Sequence, residues 1–148
     1  MSGTKYQPIK SNLQVYPVRF LPDEDLKECL KRFVQDADLK APFILTCCGS
    51  LKRAKIRLAD AEVGKDNKTI TLDGRYEIIS LVGTLNGNGH LHISLADDKG
   101  QLIGGHVVSD LIIYTTAEVV IGECNDTLFS RDTCDKSGWD ELVVTKKN

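Results

Sequence analysis

The chain's three histidines, His90, His92 and His106, fall within 17 residues in the arrangement H-x-H-x13-H. His90 and His92 belong to HLHISLA, where Leu91, Ile93 and Leu95 alternate with His90, His92, Ser94 and Ala96. A period of two is that of a strand, with one set of side chains on each face. Two positions along a strand span about 6.6 Å between Cα atoms. Two imidazoles can close that gap onto one ion at about 2.0–2.1 Å each. The third histidine depends on the turn. Asp97–Asp98–Lys99–Gly100–Gln101 has the form of a three-residue hairpin loop, a type I turn ending in a glycine at positive φ. Pairing Asp97 with Gln101 puts His106 across from His92 on one face, with His90 on the diagonal; a slip of one residue sends it to the other face. Gly104 and Gly105 are then expected to leave room around the cluster.

Three neutral imidazoles with an open fourth position are the donor set of a catalytic zinc site, in which the ion lowers the pKa of a bound water. Imidazole also suits Mn, Ni, Co and Fe, so zinc comes first among several divalent transition metals. The plainer alternative is a polar sheet face that collects histidines and satisfies them with hydrogen bonds. Two carboxylates interrupt apolar strands: Glu118 in TTAEVVIGE and Glu77 in RYEIISL. Either is a candidate general acid or base beside a metal. The commoner account of either is a pair with Arg57, Arg75 or Lys55, because an unpaired buried carboxylate is costly. No GxSxG nucleophile motif occurs, and neither Gly87–Asn88–Gly89 nor Gly104–Gly105 opens a phosphate loop.

Composition narrows the field. The 148 residues are 41% apolar and 27% charged with a formal net charge of −2, the profile of one soluble domain with a single core. Such a charge balance argues against a protein built to neutralise nucleic-acid phosphates, so direct DNA binding is not expected. No apolar run approaches the roughly 18 residues of a membrane span, and Met1–Asn12 lacks the apolar centre of a signal peptide. Five cysteines, an odd number without CxxC spacing, fit reduced thiols in an intracellular protein, cytoplasmic or nuclear. Cys47 and Cys48 read as core packing.

The elements around the histidines follow from periodicity. Residues 1–12 are expected to be flexible and 13–145 to form one domain. Leu13–Phe20 reads as a strand that Pro17 makes an edge. Leu26, Leu30, Phe33 and Val34 mark one helical face over 23–36, started by Pro22 and the acidic Asp23, Glu24 and Asp25. Strands are expected at 42–48, 54–58, 68–72, 75–85, 90–97, 101–108 and 112–124, with Asp73–Gly74 as a turn, 132–138 as loop and 142–144 as a last short strand. The sum is an α+β fold, a mainly antiparallel sheet with one or two flanking helices.

Five segments in order, LPDEDL (21–26), GSLKRAKIRLA (49–59), GRYEIISLVGTL (74–85), GHLHISLADDKGQLIGGHV (89–107) and TTAEVVIGE (115–123), resemble the plants-and-prokaryotes conserved (PPC) domain over residues 13–125. The resemblance implies an antiparallel sheet similar to that of acetolactate decarboxylase and a related zinc ester hydrolase, which hold zinc through HxH and a distant histidine. It also implies a homotrimer, with metal on His90, His92 and His106. Plant members follow AT-hooks in nuclear DNA-binding proteins and mostly lack the histidines; this sequence has no Arg-Gly-Arg-Pro core of an AT-hook. Gly74–Ile78 (GRYEI) matches a segment that serves protein contacts in plant members. Two functions remain open. One is a metal-dependent lyase or hydrolase acting on a small polar ligand. The other is a non-catalytic homotrimeric interaction module.

Overall fold

A computed structural model describes residues 8–148. Residues 1–7 of the expected flexible segment lie outside that description, whereas Ser11 and Asn12 are tied down. The Asn12 N–H donates to Asp126 Oδ2 at 2.7 Å and the Asp126 N–H to Ser11 Oγ at 3.0 Å.

The elements run β1 (Leu13–Phe20), α1 (Leu26–Asp36), β2 (Pro42–Arg57), β3 (Thr69–Thr84), β4 (His90–Ala96), β5 (Leu102–Cys124), β6 (Thr127–Thr133) and β7 (Asp140–Lys146). All pairings are antiparallel, in the order β1-β5-β2-β3-β4, and β4 returns to pair with β5. The sheet therefore closes on itself, which is possible because β5, 23 residues long, pairs with β4 at its start and with β1 at its end. Closure removes the exposed edges that an open sheet would present. Pro17 lies on β1, the remaining edge strand, where a missing N–H costs no ladder bond. β6 and β7 form a separate hairpin.

Leu51, Ile56, Leu81, Leu95, Leu111, Ile113, Val119 and Ile121 fill the interior, each almost wholly buried. α1 adds Leu26, Cys29 and Leu30 to that core. The helix begins at Leu26 rather than 23 because Asp23 sits at φ 70, a left-handed conformation that no helix residue adopts. Asp25 is the cap instead; its side chain accepts from the backbone N–H groups of Lys27 and Glu28.

Strand boundaries differ most where glycines suggest stops. The expected segments 42–48 and 54–58 are one strand, as are 68–72 with 75–85 and 101–108 with 112–124. Asp73–Gly74 is a bulge: Leu51 pairs with Tyr76 and Arg53 with Asp73, so two steps on β2 face three on β3. Gly74, at φ 143, absorbs the extra residue. In β5 the break falls at Asp110, at φ 57. β6 was not anticipated, and β7 is longer than the expected 142–144. Cys47 is buried, which pushes its thiol up to about 12, whereas Cys48 points outward and is exposed.

Candidate metal centre

β4 and β5 meet through the expected turn. The Asp97 N–H donates to the Gln101 carbonyl at 3.0 Å, the Gly100 N–H to the Asp97 carbonyl at 3.0 Å, and Gly100 sits at φ 74. Asp97 Oδ1 fixes the loop further by accepting from the N–H groups of Lys99 and Gln101 at 2.9 Å each. The register is the one this turn dictates: His92 faces His106, Ser94 faces Gly104 and Ala96 faces Leu102. Leu91, Ile93 and Leu95 point into the core. His90, His92 and His106 therefore share the outer face of the barrel.

The three rings converge, with centroids 5.1 to 5.6 Å apart and ligand-capable atoms all within 4.8 Å of one another. His90 Nε2 and His92 Nε2 are 3.3 Å apart. Two nitrogens bound at tetrahedral angles to one zinc ion stand about 3.3 Å apart. His106 Nδ1 is buried without a hydrogen-bond partner, which buried ring nitrogens rarely tolerate. An all-imidazole donor set with that spacing and an unpaired nitrogen fits a divalent transition metal. The alternative, histidines satisfied by hydrogen bonds, leaves His106 Nδ1 unaccounted for.

Burial and neighbouring charge favour the neutral form of His90 and His106, the form that ligates. Burial, and then the Arg57 guanidinium, His90 and His92, push His106 down to about 4. His90 is lowered by burial, then by His92 and Arg131, with Glu141 opposing. Gly104 and Gly105 line a cleft of about 350 Å³ beside His92 and His106, the room the sequence suggested, and they have a second role. They let strands touch: a Cβ on Gly104 would stand 2.4 Å from the Ile93 carbonyl oxygen, and one on Gly105 2.4 Å from that of Arg57.

Neither candidate carboxylate comes to the histidines. Glu118 lies between buried Ala117 and Val119 but points outward and is exposed, opposite Cys48 of β2. His106 pairs with Arg57, nine residues or about 30 Å further along that strand. Glu77 is likewise exposed, opposite Ala96, four residues from His92 on β4 and so about 13 Å away. Both were read as buried because their neighbours are apolar, yet alternation places them on the wet face. The carboxylate that is buried in β5 is Glu123, which accepts the backbone N–H groups of Lys40 at 2.9 Å and Ala41 at 3.1 Å.

Instead, the walls come from elements the sequence did not connect. A cleft of about 600 Å³ is lined by His90, His106, Arg57, Arg131, Trp139 and Glu141, among others. Arg131 and Glu141 also line a smaller cleft at His90 and His92. The β6–β7 hairpin supplies Arg131 and Glu141, and the loop between its strands Trp139. Arg57 lies over the Trp139 ring at 5.2 Å, a cation–π contact. No spacing signals these residues; only packing of the hairpin brings them in.

A closed antiparallel barrel with three convergent histidines on its outer face defines a small α+β domain with a candidate metal centre. The family model for the Plants and Prokaryotes Conserved (PCC) domain matches residues 7–125, and the chain belongs to that family. Bifunctional protein GlmU of Synechococcus sp. (strain JA-3-3Ab) is 41% identical over 142 residues, 95% of this chain and 22% of that protein. AT-hook motif nuclear-localized protein 8 of Arabidopsis thaliana is 31% identical over 108 residues, 67% of this chain and 27% of that protein. The chain thus spans about a quarter or less of the length of these relatives. Among solved structures, a hypothetical protein from Salmonella enterica superposes with a TM-score of 0.88 at 38% identity, over 95% of this chain and 99% of that one. The metal-containing protein AF0104 from Archaeoglobus fulgidus shares the fold, with a TM-score of 0.80 at 21% identity over 93% of this chain and 99% of that one. No helix among the described residues is long and apolar enough to cross a membrane.

Proposed function

We propose that His90, His92 and His106 hold one divalent transition-metal ion, zinc before others, and that the site works as a lyase or hydrolase on a small polar molecule. The observation that carries this reading is the 3.3 Å approach of His90 Nε2 to His92 Nε2 with all three ligand-capable atoms within 4.8 Å. A metal held there supplies Lewis acidity toward a bound oxygen. The chain's own groups do the rest. β4 and β5 fix the three rings by register, and burial holds His106 neutral. Glu141 lines the cleft at His90 and His92 and is the carboxylate placed for proton transfer, in place of Glu118 or Glu77. The metal described for the Archaeoglobus protein of the same fold supports the reading.

A second reading, a non-catalytic homotrimeric interaction module, is favoured by the likeness to the Arabidopsis AT-hook protein. Metal content separates the two. Wild-type protein is expected to carry about one zinc or similar ion per chain, and His92→Ala to lose it while keeping its circular dichroism spectrum. A metal-free wild type that does not take up added zinc contradicts the enzyme reading and leaves the module.

A further inference from the structure

We infer that the β6–β7 hairpin makes the histidine cleft a site for a small carboxylate anion, held by Arg131 and Arg57 against the face of Trp139. This inference rests on the proposed metal only for where the reacting end of the ligand lies. The anion subsite itself stands on protein groups. The hairpin lies beyond residues 7–125 matched by the family model.

The ion pairs among the described residues use Lys40, Lys52, Arg53 and Lys65. Arg57 and Arg131, both half-buried, take part in none of them. Arg57 Nε is buried without any hydrogen-bond partner. A buried guanidinium donor is ordinarily satisfied, because an unpaired one forfeits its hydration for nothing. Arg57 also lines the cleft, so the rest of its side chain is open to an acceptor that arrives from solution.

Arg131 is positioned in advance. One terminal nitrogen donates to Thr84 Oγ1 at 2.7 Å and the other to the Asp140 carbonyl at 3.3 Å. Thr84 pairs with His90, so the guanidinium is anchored beside the first histidine. A guanidinium has five N–H donors in a fixed fork, and two bonds leave donors free for a carboxylate. Two acids share the rim. Asp140 Oδ1 accepts the Thr133 hydroxyl at 2.7 Å, and Glu141 is the proposed proton-transfer group. The two guanidiniums balance these two acids, and Asp140 and the Arg131 guanidinium are each already oriented by hydrogen bonds, so the subsite rests on placed donors rather than on net charge. Trp139, under Arg57, gives the ligand's carbon skeleton an apolar surface.

Trp139 is the only tryptophan in the chain, so its fluorescence reports on this cleft alone. Malonate is the probe and malonamide its uncharged counterpart, titrated into zinc-loaded and zinc-stripped protein with metal content measured in parallel. Malonate is expected to change Trp139 emission saturably and malonamide not. Arg131→Gln is expected to weaken malonate about tenfold or more, with zinc stoichiometry unchanged and Arg131→Lys intermediate. Equal binding of malonate and malonamide, or an Arg131→Gln variant as tight as wild type, overturns the inference. Saturable, Arg131-dependent malonate binding in protein that holds no zinc keeps the inference and refutes the metal reading.

Discussion

His106 is the histidine with the most at stake, being the one driven furthest from protonation and the one whose Nδ1 lacks a partner. Its lowered proton affinity makes stability depend on pH in a definite direction. The unfolded chain takes up a proton near the ordinary imidazole value of 6.5, while the folded chain resists until about 4. Acid therefore favours the unfolded state across that window, and stability is full above it. In metal-stripped protein the urea midpoint is expected to hold steady above pH 6.5, fall toward pH 4, and level off below. His106→Asn is expected to flatten the fall; an unchanged slope would show that other groups carry it. His90, shifted the same way, contributes in the same sense.

At the scale of the element, the β4–turn–β5 unit was legible because its signals are local. A glycine at the left-handed position and an Asp that caps the loop fix the register, and the register puts His106 opposite His92. α1 was legible from its apolar face, but its start needed the backbone of Asp23. Long β2 and β3 were read as pieces because Gly49 and Gly74 look like breaks, whereas in a closing sheet they are a close approach and a bulge; β5 was split where Asp110 takes φ 57. β6 was not legible: TLFSRDT places Leu128 and Phe129 side by side and breaks the alternation. With it went Arg131 and the whole cleft wall, whose place is set by packing across the chain. Gly105 tests how tightly the strands must meet. An added Cβ would press on the Arg57 carbonyl oxygen at 2.4 Å, and that backbone cannot swing aside as a side chain does. Gly105→Ala is expected to cost about 1–3 kcal/mol in thermal or urea unfolding and to lower zinc occupancy. Full occupancy at wild-type stability would mean the two strands have slack there.

For the whole molecule, the resemblance to the PPC family implies three chains, and several apolar side chains are exposed. Ile79 and Val82 on β3 are 55% and 53% exposed, and Leu13 and Val15 on edge strand β1 are 54% and 48% exposed. Exposed apolar side chains on strands are available for association between copies. Sedimentation equilibrium is expected to give the mass of three 16.4 kDa chains, and Val82→Lys to reduce it; a monomer at micromolar concentration would remove the trimer from the account. Within such an assembly the barrel positions the histidines by register and the hairpin roofs them.

The proposed ion sits among His90, His92 and His106, and crystals of protein grown with zinc, with diffraction recorded on both sides of the zinc absorption edge, test for it. One anomalous peak per chain is expected, within about 2.0–2.1 Å of a nitrogen of each histidine, with no fourth protein ligand. No peak there, or a site closed by a cysteine or a fourth side chain, would contradict the proposal.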